Sequence, residues 1–177
     1  MSLATHTASE QYAGMERHLL LIRHAKSDWS DPALSDFERP LNTRGQADAL
    51  FMAQRLAAAN VKIRRMYCSP AERARSTAEQ IAQVAGFPST NIDWMTELYL
   101  ANPLTMLEVI HACPDDVDTI ALVGHNPGIS ALASHLCGDM HRNIPTCGMV
   151  HLSADIEHWR DASSFQLSDF DYPKRDI

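Results

Sequence analysis

The hydrophobic and polar positions of the chain alternate between short apolar runs and longer segments with helical spacing. Residues 19–22 (Leu-Leu-Leu-Ile) are too few for a helix and predict a buried strand. Apolar residues recur at helical spacing over residues 49–56, which predicts a helix over about 43–59 with Thr43 as its N-cap. Residues 65–68 predict a second strand.

The rest of the chain continues this alternation of strands and helices. Ser69 begins a second capping sequence, which places Pro70 at the first position of a helix that ends near Ala85. Further elements follow in turn: strand 91–95, helix 103–111, strand 119–123, helix 129–136, and two closing strands, 149–152 and 165–167. We expect the closing strands to be antiparallel and to lie at an edge. Strands that alternate with helices predict an α/β layer fold with a mostly parallel sheet.

Length, composition and charge narrow the class of protein. The chain has 177 residues, the size of one domain, and 45% of them are hydrophobic, which excludes a disordered chain. We expect residues 1–15 to form a flexible leader and residues 16–177 to form a single domain. The formal net charge of -7 opposes nucleic-acid binding, so any anionic ligand has to be small enough for a local cluster of cations.

The cysteines, the histidines and the hydropathy bear on metals and membranes. The 4 cysteines show no C-x-x-C pair and the histidines lack metal-ligand spacing, so no metal site is expected. No apolar run approaches the roughly 20 residues of a membrane span, and the start of the chain lacks the pattern of a signal peptide. We therefore predict a cytoplasmic protein that does not bind a membrane.

Three of the predicted strands end next to residues that can bind phosphate. The first ends at Arg23 and His24, the second leads within one helical turn to Arg73, and the strand over 119–123 leads to His125. If these strands are neighbours in a parallel sheet, their carboxyl ends bring the residues together at one edge, where helix N-termini also present free N–H groups. Guanidinium groups donate paired hydrogen bonds to phosphate oxygens, and a histidine can attack phosphorus. These residues therefore predict a site for a small phosphate group.

Some assignments stay open on the residues alone. Helical spacing does not distinguish Arg73 from Arg75, because the two lie at similar angles from the apolar stripe of their helix. Other polar residues are secondary candidates for the phosphate site or for contact with a protein partner, although charges of this kind usually face water. These secondary candidates are Lys26, Ser27, Arg39 and Arg44.

Four motifs, in their order and spacing, resemble the histidine phosphatase superfamily. They are residues 21–25 (Leu-Ile-Arg-His-Ala), 39–45 (Arg-Pro-Leu-Asn-Thr-Arg-Gly), 69–78 (Ser-Pro-Ala-Glu-Arg-Ala-Arg-Ser-Thr-Ala) and 122–127 (Leu-Val-Gly-His-Asn-Pro). The resemblance extends over residues 19–152 and is closest to the short SixA-type branch of phosphohistidine phosphatases. It implies a phosphoglycerate mutase-like fold, which is a three-layer α/β/α sandwich.

The resemblance also implies a role for each residue of the cluster. It implies that His24 is a nucleophile that becomes transiently phosphorylated, and that Arg23, Arg73 and His125 hold the phosphoryl group. It selects Arg73 over Arg75. Because preplaced cations can stabilise the transferring oxygens, neither a metal nor a cofactor is expected.

The same resemblance has implications for the general acid and for the shape of the site. Family members that cleave esters carry a carboxylate in the segment corresponding to residues 96–98, which makes Glu97 the candidate general acid. Ala25 stands where the commonest family motif has glycine, which implies a modest change in the shape of the pocket. The segment between Glu97 and Ile120 is short and leaves no room for a large cap insertion. An open site favours a substrate that is displayed on another protein.

The function predicted from these features is removal of phosphate from phosphohistidine on a protein, by way of a phosphorylated His24. The expected partner is a phosphorylated protein of the histidine-phosphotransfer type. Two alternatives stay open. The first is a phosphomonoesterase that acts on a small phosphorylated metabolite, and the second is a phosphoprotein-binding module without turnover.

Overall fold

Strands and α-helices alternate along the chain in the computed structural model, which describes residues 15–138, 140 and 142–175. The strands are β1 (Glu16–Arg23), β2 (Arg65–Cys68), β3 (Ile92–Trp94), β4 (Thr119–Gly124), β5 (Met149–Asp155) and β6 (Gln166–Asp171). The helices are α1 (Thr43–Ala58), α2 (Glu72–Ala85), α3 (Pro103–His111) and α4 (Gly128–Cys137). Apart from Met15, the predicted leader lies outside the described residues.

The strands form one mixed sheet in the order β3-β2-β4-β1-β5-β6. β3, β2, β4 and β1 are parallel to one another, whereas β5 runs antiparallel to β1 and β6 antiparallel to β5. Val123 in β4 pairs with Ile22 in β1 on one side and with Cys68 in β2 on the other. The three strands that precede the candidate phosphate-binding residues are therefore adjacent, and their carboxyl ends lie side by side.

Helices cover both faces of the sheet, which gives the predicted three layers. Successive residues of a strand point to opposite faces, so Leu19 and Leu21 belong to one half of the core and Leu20 and Ile22 to the other. The first half of the core contains the buried residues of α3 and α4, and the second contains those of α1 and α2. Because both faces of β1 are buried, its sequence is a continuous apolar run instead of an alternating pattern.

Both predicted helix caps were wrong in detail. Asn42, and not Thr43, caps α1, because its side chain accepts a hydrogen bond from the backbone N–H of Gly45 at 2.8 Å. α2 begins only at Glu72, and its N-cap residue, Ala71, has no side chain able to cap it. Ser69 and Pro70 therefore precede the helix. The Ser69 hydroxyl instead contacts His125, 56 positions away in sequence, and such a contact leaves no trace in a local pattern.

The two closing strands are both antiparallel, but only β6 lies at an edge, because β5 pairs with β1 as well as with β6. β6 also extends to Asp171, further than the apolar pattern indicated, since Ser168 and Asp169 are exposed edge positions that carry polar side chains. Among the described helices, none combines the length and the apolar character needed to cross a membrane.

Candidate active site

His24 follows directly after β1 and is held by its backbone and by its ring. Its backbone N–H donates to the carbonyl of Gly124 at 3.1 Å, and its own carbonyl accepts from the N–H of Cys147 at 3.1 Å. Only 8% of the residue is exposed. Ring atom Nδ1 lies 2.7 Å from the carbonyl of Ala25, which can only accept, so Nδ1 carries the proton. Nε2 is therefore unprotonated and can accept a hydrogen bond.

Arg73, in the first turn of α2, directs its guanidinium group at this nitrogen. Its Nε donates to His24 Nε2 at 3.3 Å. The opposite edge of the guanidinium is held by Asp36, because Nη2 donates to Oδ2 at 2.8 Å and Nη1 donates to the Asp36 carbonyl. Thr77 fixes α2 against the segment after β1, since its hydroxyl accepts from the N–H of Ala25 at 3.0 Å and donates to the Arg73 carbonyl at 2.7 Å.

Asp36 is a member of the site that the sequence analysis missed. Besides holding Arg73, its Oδ2 accepts a 2.6 Å hydrogen bond from the Tyr99 hydroxyl, and its Oδ1 lies 2.9 Å from Nη2 of Arg39. Asp36 belongs to the polar segment between β1 and α1, where many residues have carboxylate or hydroxyl side chains. In the sequence, only the position of Asp36 between His24 and Arg39 indicated that it could belong to the site.

His125, directly after β4, lies beside His24. The two rings have a centroid distance of 5.0 Å. The hydroxyl of Ser69, which follows β2, lies 2.8 Å from Nε2 of His125. The backbone N–H of Ala71 donates to the same hydroxyl oxygen at 3.4 Å, which leaves the hydroxyl hydrogen free for Nε2. With Nε2 as the acceptor, the ring proton of His125 is on Nδ1.

Arg23, the last residue of β1, completes the cluster. Its Nη1 donates to the carbonyl of Ile144 at 2.7 Å, and Asn126 donates to the same carbonyl at 3.0 Å. Five buried side-chain nitrogen or oxygen atoms in the described part of the chain have no hydrogen-bond partner, and three of them are at this site. They are Nε of Arg23, Nη1 of Arg39 and Nδ1 of His125. All three are nitrogens that can donate, which is the arrangement that an anion would satisfy.

Burial and neighbouring charges determine the protonation states of the side chains at the site. Burial lowers the pKa of His24 to about 4, with the positive charges of Arg73 and Arg23 adding to the effect. Burial, together with neighbouring His24, also lowers the pKa of His125 to about 3. Burial alone would raise the pKa of Asp36, but hydrogen bonds from Tyr99 and Arg73 hold it below its usual value. At neutral pH the site therefore contains neutral histidines, guanidinium cations and one carboxylate.

The structure does not bring Glu97 into this cluster. Glu97 lies exposed in a short 3-10 turn, Thr96–Leu98, and lines a surface cavity of about 500 Å³ together with Arg65, Tyr67 and Asp93. Among the described residues it forms no hydrogen bond or ion pair with the residues around His24.

The structure brings only some of the secondary candidates to the site, and Arg75 is not among the residues that it places there. Arg39 is part of the site through Asp36, and Ser27 is buried. Lys26 is exposed, and Arg44 pairs with Asp48 in α1. Arg75 stacks on Trp94, away from His24.

Comparison with known proteins identifies the family. The model of the histidine phosphatase superfamily (branch 1) matches residues 19–117, and the chain belongs to this superfamily. The phosphohistidine phosphatase SixA of Escherichia coli is 28% identical over 153 residues, which are 85% of this chain and 92% of that protein. An uncharacterised chloroplastic protein of Arabidopsis thaliana is 34% identical over 170 residues, which are 91% of this chain and 76% of that protein.

Solved structures agree with this assignment. A structure from Agrobacterium tumefaciens that bears the SixA name has a TM-score of 0.78 at 29% identity and covers 89% of this chain and 98% of that chain. The prediction of a SixA-type member of the superfamily is confirmed, and so is the phosphoglycerate mutase-like α/β fold. The membership supports phosphatase activity.

Proposed function

We propose that the protein removes phosphate from phosphohistidine on another protein, with His24 as the nucleophile. The observation that carries the proposal is the bond between His24 Nδ1 and the Ala25 carbonyl at 2.7 Å. That bond leaves Nε2 unprotonated and places its lone pair beside the guanidinium of Arg73 at 3.3 Å. A phosphoryl oxygen that enters this space takes over the Nε–H of Arg73 and frees the lone pair for attack.

In the first step His24 Nε2 attacks phosphorus in line with the leaving nitrogen. The new N–P bond forms as the P–N bond of the substrate breaks, and the leaving imidazole takes a proton. The charge that builds up on the three equatorial oxygens is stabilised by Arg23, Arg73 and Nδ1–H of His125. The unpartnered donors at Arg23 Nε and His125 Nδ1 support these roles.

In the second step a water molecule attacks the phosphorus of phosphorylated His24. The P–N bond breaks, inorganic phosphate leaves, and His24 returns to its neutral form. Because an imidazole leaving group is basic enough to take its proton from water, this reaction does not depend on Glu97. A phosphate ester has an alkoxide leaving group that needs a proton donor within reach, and Glu97, the candidate for that role, lines a cavity outside the His24 cluster.

The shape of the site supports a protein as the substrate. Only the 3-10 turn Thr96–Leu98 and α3 are placed between β3 and β4, so no large insertion closes over His24 from this segment. The relatives that bear the SixA name include the E. coli phosphohistidine phosphatase, which covers 85% of this chain. A phosphorylated protein of the histidine-phosphotransfer type is therefore our proposed partner.

The test is phosphate release from free phosphohistidine and from a histidine-phosphorylated phosphotransfer protein, with wild type beside His24→Ala and His135→Ala. His135 lies on α4 and serves as the matched control. We expect an acid-labile phosphoenzyme in wild type and in His135→Ala, and none in His24→Ala. A chelator in every assay tests the expectation that no metal takes part.

Three other outcomes would contradict the proposed nucleophile or the proposed substrate. Fully active His24→Ala would remove His24 as the nucleophile. Faster turnover of small phosphate esters than of either phosphohistidine substrate would assign the site to a phosphorylated metabolite. Saturable phosphate binding without phosphate release would assign it to a binding module.

A further inference from the structure

Exposed apolar side chains come from the two segments that contact the His24 cluster. Trp29 and Phe37 belong to the segment between β1 and α1, and Leu100 follows the 3-10 turn after β3. Their exposed fractions are 68%, 37% and 56%. We refer to Trp29, Phe37 and Leu100 as the apolar rim.

Trp29 is linked to the site through Arg39. The guanidinium of Arg39 lies over the Trp29 ring, 3.4 Å from its centroid. Arg39 also forms a 2.9 Å ion pair with Asp36, and Asp36 in turn holds Arg73. The exposed indole is therefore four side-chain contacts from the nucleophile.

Phe37 and Leu100 are linked to the site through Tyr99. The rings of Phe37 and Tyr99 meet edge to face at 5.0 Å, and Tyr99 meets His125 edge to face at 5.5 Å. Leu100 is the next residue of the chain after Tyr99. Two segments far apart in sequence thus place apolar groups beside the same pocket.

The backbone of Leu100 is strained. Its φ is 50°, in the left-handed region that a leucine rarely occupies. Such a conformation costs on the order of 1 kcal/mol, and strained residues cluster at functional sites. The apolar side chain of Leu100 stays in solvent, so no burial of that side chain offsets the cost of the strained backbone.

We propose that the apolar rim is the docking surface for the protein that carries the phosphohistidine. The inference rests on the proposed function, and it adds which residues recognise the partner. His24 is only 8% exposed, so a phosphoryl group that reaches Nε2 lies within the cluster and the rest of its carrier lies over the surrounding surface. That surface is the rim.

The chemistry of the rim selects the kind of carrier. A small phosphorylated metabolite has hydroxyl and carboxylate groups that need polar partners, and Trp29, Phe37 and Leu100 offer only the indole N–H, which already donates to Ser27 at 3.2 Å. A folded protein with apolar side chains around its phosphohistidine matches this surface. Exposed aromatic residues are also the usual anchors of protein interfaces.

The experiment compares two substrates that share the same phosphohistidine bond. One is a purified histidine-phosphotransfer protein phosphorylated on its histidine, and the other is free phosphohistidine. The variants are Leu100→Ala and Leu100→Asp. Trp29 and Phe37 are left unchanged because their rings contact Arg39 and Tyr99, which belong to the site. The matched control is Leu167→Ala, since Leu167 is 44% exposed on β6, at the edge of the sheet away from β2 and β4.

We expect each rim variant to lower kcat/KM for the phosphoprotein by about tenfold, the usual scale of an interface anchor. For free phosphohistidine the change should stay below about twofold, because a single amino acid covers far less of the rim than a folded protein does. Leu167→Ala should change neither value. Equal melting temperatures of the variants and wild type show that the fold is intact.

Three kinetic results would overturn the inference. They are equal losses on both substrates, no loss on the phosphoprotein, and a wild-type kcat/KM that is the same for the two substrates. A concentration-dependent dimer that Leu100→Asp abolishes would assign the rim to a second copy of this chain. His24-dependent hydrolysis of free phosphohistidine in any of these cases leaves the proposed chemistry standing. If wild type hydrolyses neither substrate, the proposed function fails and the inference fails with it.

Discussion

Asp36 holds one edge of the Arg73 guanidinium while the other edge faces His24. The carboxylate accepts from Nη2 at 2.8 Å, the Asp36 carbonyl accepts from Nη1, and Nε of the same group is 3.3 Å from His24 Nε2. A side chain gripped at two points has little freedom to turn away from the pocket. Asp36 is thus placed to position Arg73 without itself touching a phosphoryl group.

Asp36→Ala should lower kcat for free phosphohistidine by about tenfold, because Arg73 loses its fixed orientation. In an Arg73→Ala background the same change should have little further effect, since the two residues act as a unit. The measurement is a double-mutant cycle of kcat. Asp31→Ala, which alters an exposed carboxylate of the same segment, is the control. Additive losses would show that Asp36 acts independently of Arg73.

Ser69→Ala should lower kcat by about fivefold, because His125 Nε2 loses the hydroxyl that lies 2.8 Å away and its ring proton is no longer fixed on Nδ1. Ser76→Ala removes a comparable hydroxyl, one that donates to Glu72 at 2.9 Å on α2, and should leave kcat unchanged. Steady-state kinetics on free phosphohistidine measure both. Similar losses in the two variants would contradict a specific role for Ser69.

The buried histidines should make stability depend on pH. The folded-state pKa of His24 is about 4 against an ordinary 6.5, so between these values the unfolded chain binds a proton that the folded chain does not. The free energy of unfolding should therefore fall as the pH falls from 6.5 towards 4, by at most about 1.4 kcal/mol per pH unit for each such histidine.

Urea unfolding at a series of pH values measures this dependence. His24→Asn should reduce its slope, and Asp31→Asn should leave the slope over the same range nearly unchanged. In an NMR titration of the wild type, the His24 ring should stay neutral until the pH approaches 4. Titration of His24 near its ordinary pKa would contradict the burial that the structure assigns to it.

Arg17 should be important for stability and not for catalysis. It is 1% exposed and donates to the carbonyls of Val117 at 2.7 Å, Ile156 at 3.1 Å and Asp115 at 3.1 Å. Arg17→Met removes the buried donor from these part-buried carbonyls, of which that of Val117 keeps a hydrogen bond from Trp159, and should lower the free energy of unfolding by about 3 kcal/mol.

The control for Arg17 is Arg64→Met, because the Arg64 side chain is 63% exposed and its pairing with Asp118 is long, at 3.8 Å. We expect this change to alter stability by less than about 0.5 kcal/mol. Denaturant unfolding gives both values, and kcat of folded Arg17→Met should match wild type. A stability near that of wild type for Arg17→Met would show that the carbonyls find other partners.

The sequence by itself determined most of the strands and helices and the α/β class of the fold. Each strand that is buried on both faces, such as β1 and β4, is a continuous apolar run, and each helix with one buried face shows helical spacing. These patterns are local, so they can be found without coordinates. The sequence placed His24, Arg73 and His125 after strand ends, and the family motifs chose Arg73 over Arg75, but the adjacency of the three strands came from the fold.

The tertiary structure alone decided the contacts between residues far apart in sequence. Asp36 meets Tyr99 and Arg73, and Ser69 meets His125 instead of capping α2, because folding brings separate segments to one edge of the sheet. Gly45 is a further case, since a Cβ there would lie 2.1 Å from the carbonyl oxygen of Lys26. Such partners are chosen by distance in space, and a one-dimensional pattern of apolar and polar residues does not contain that distance.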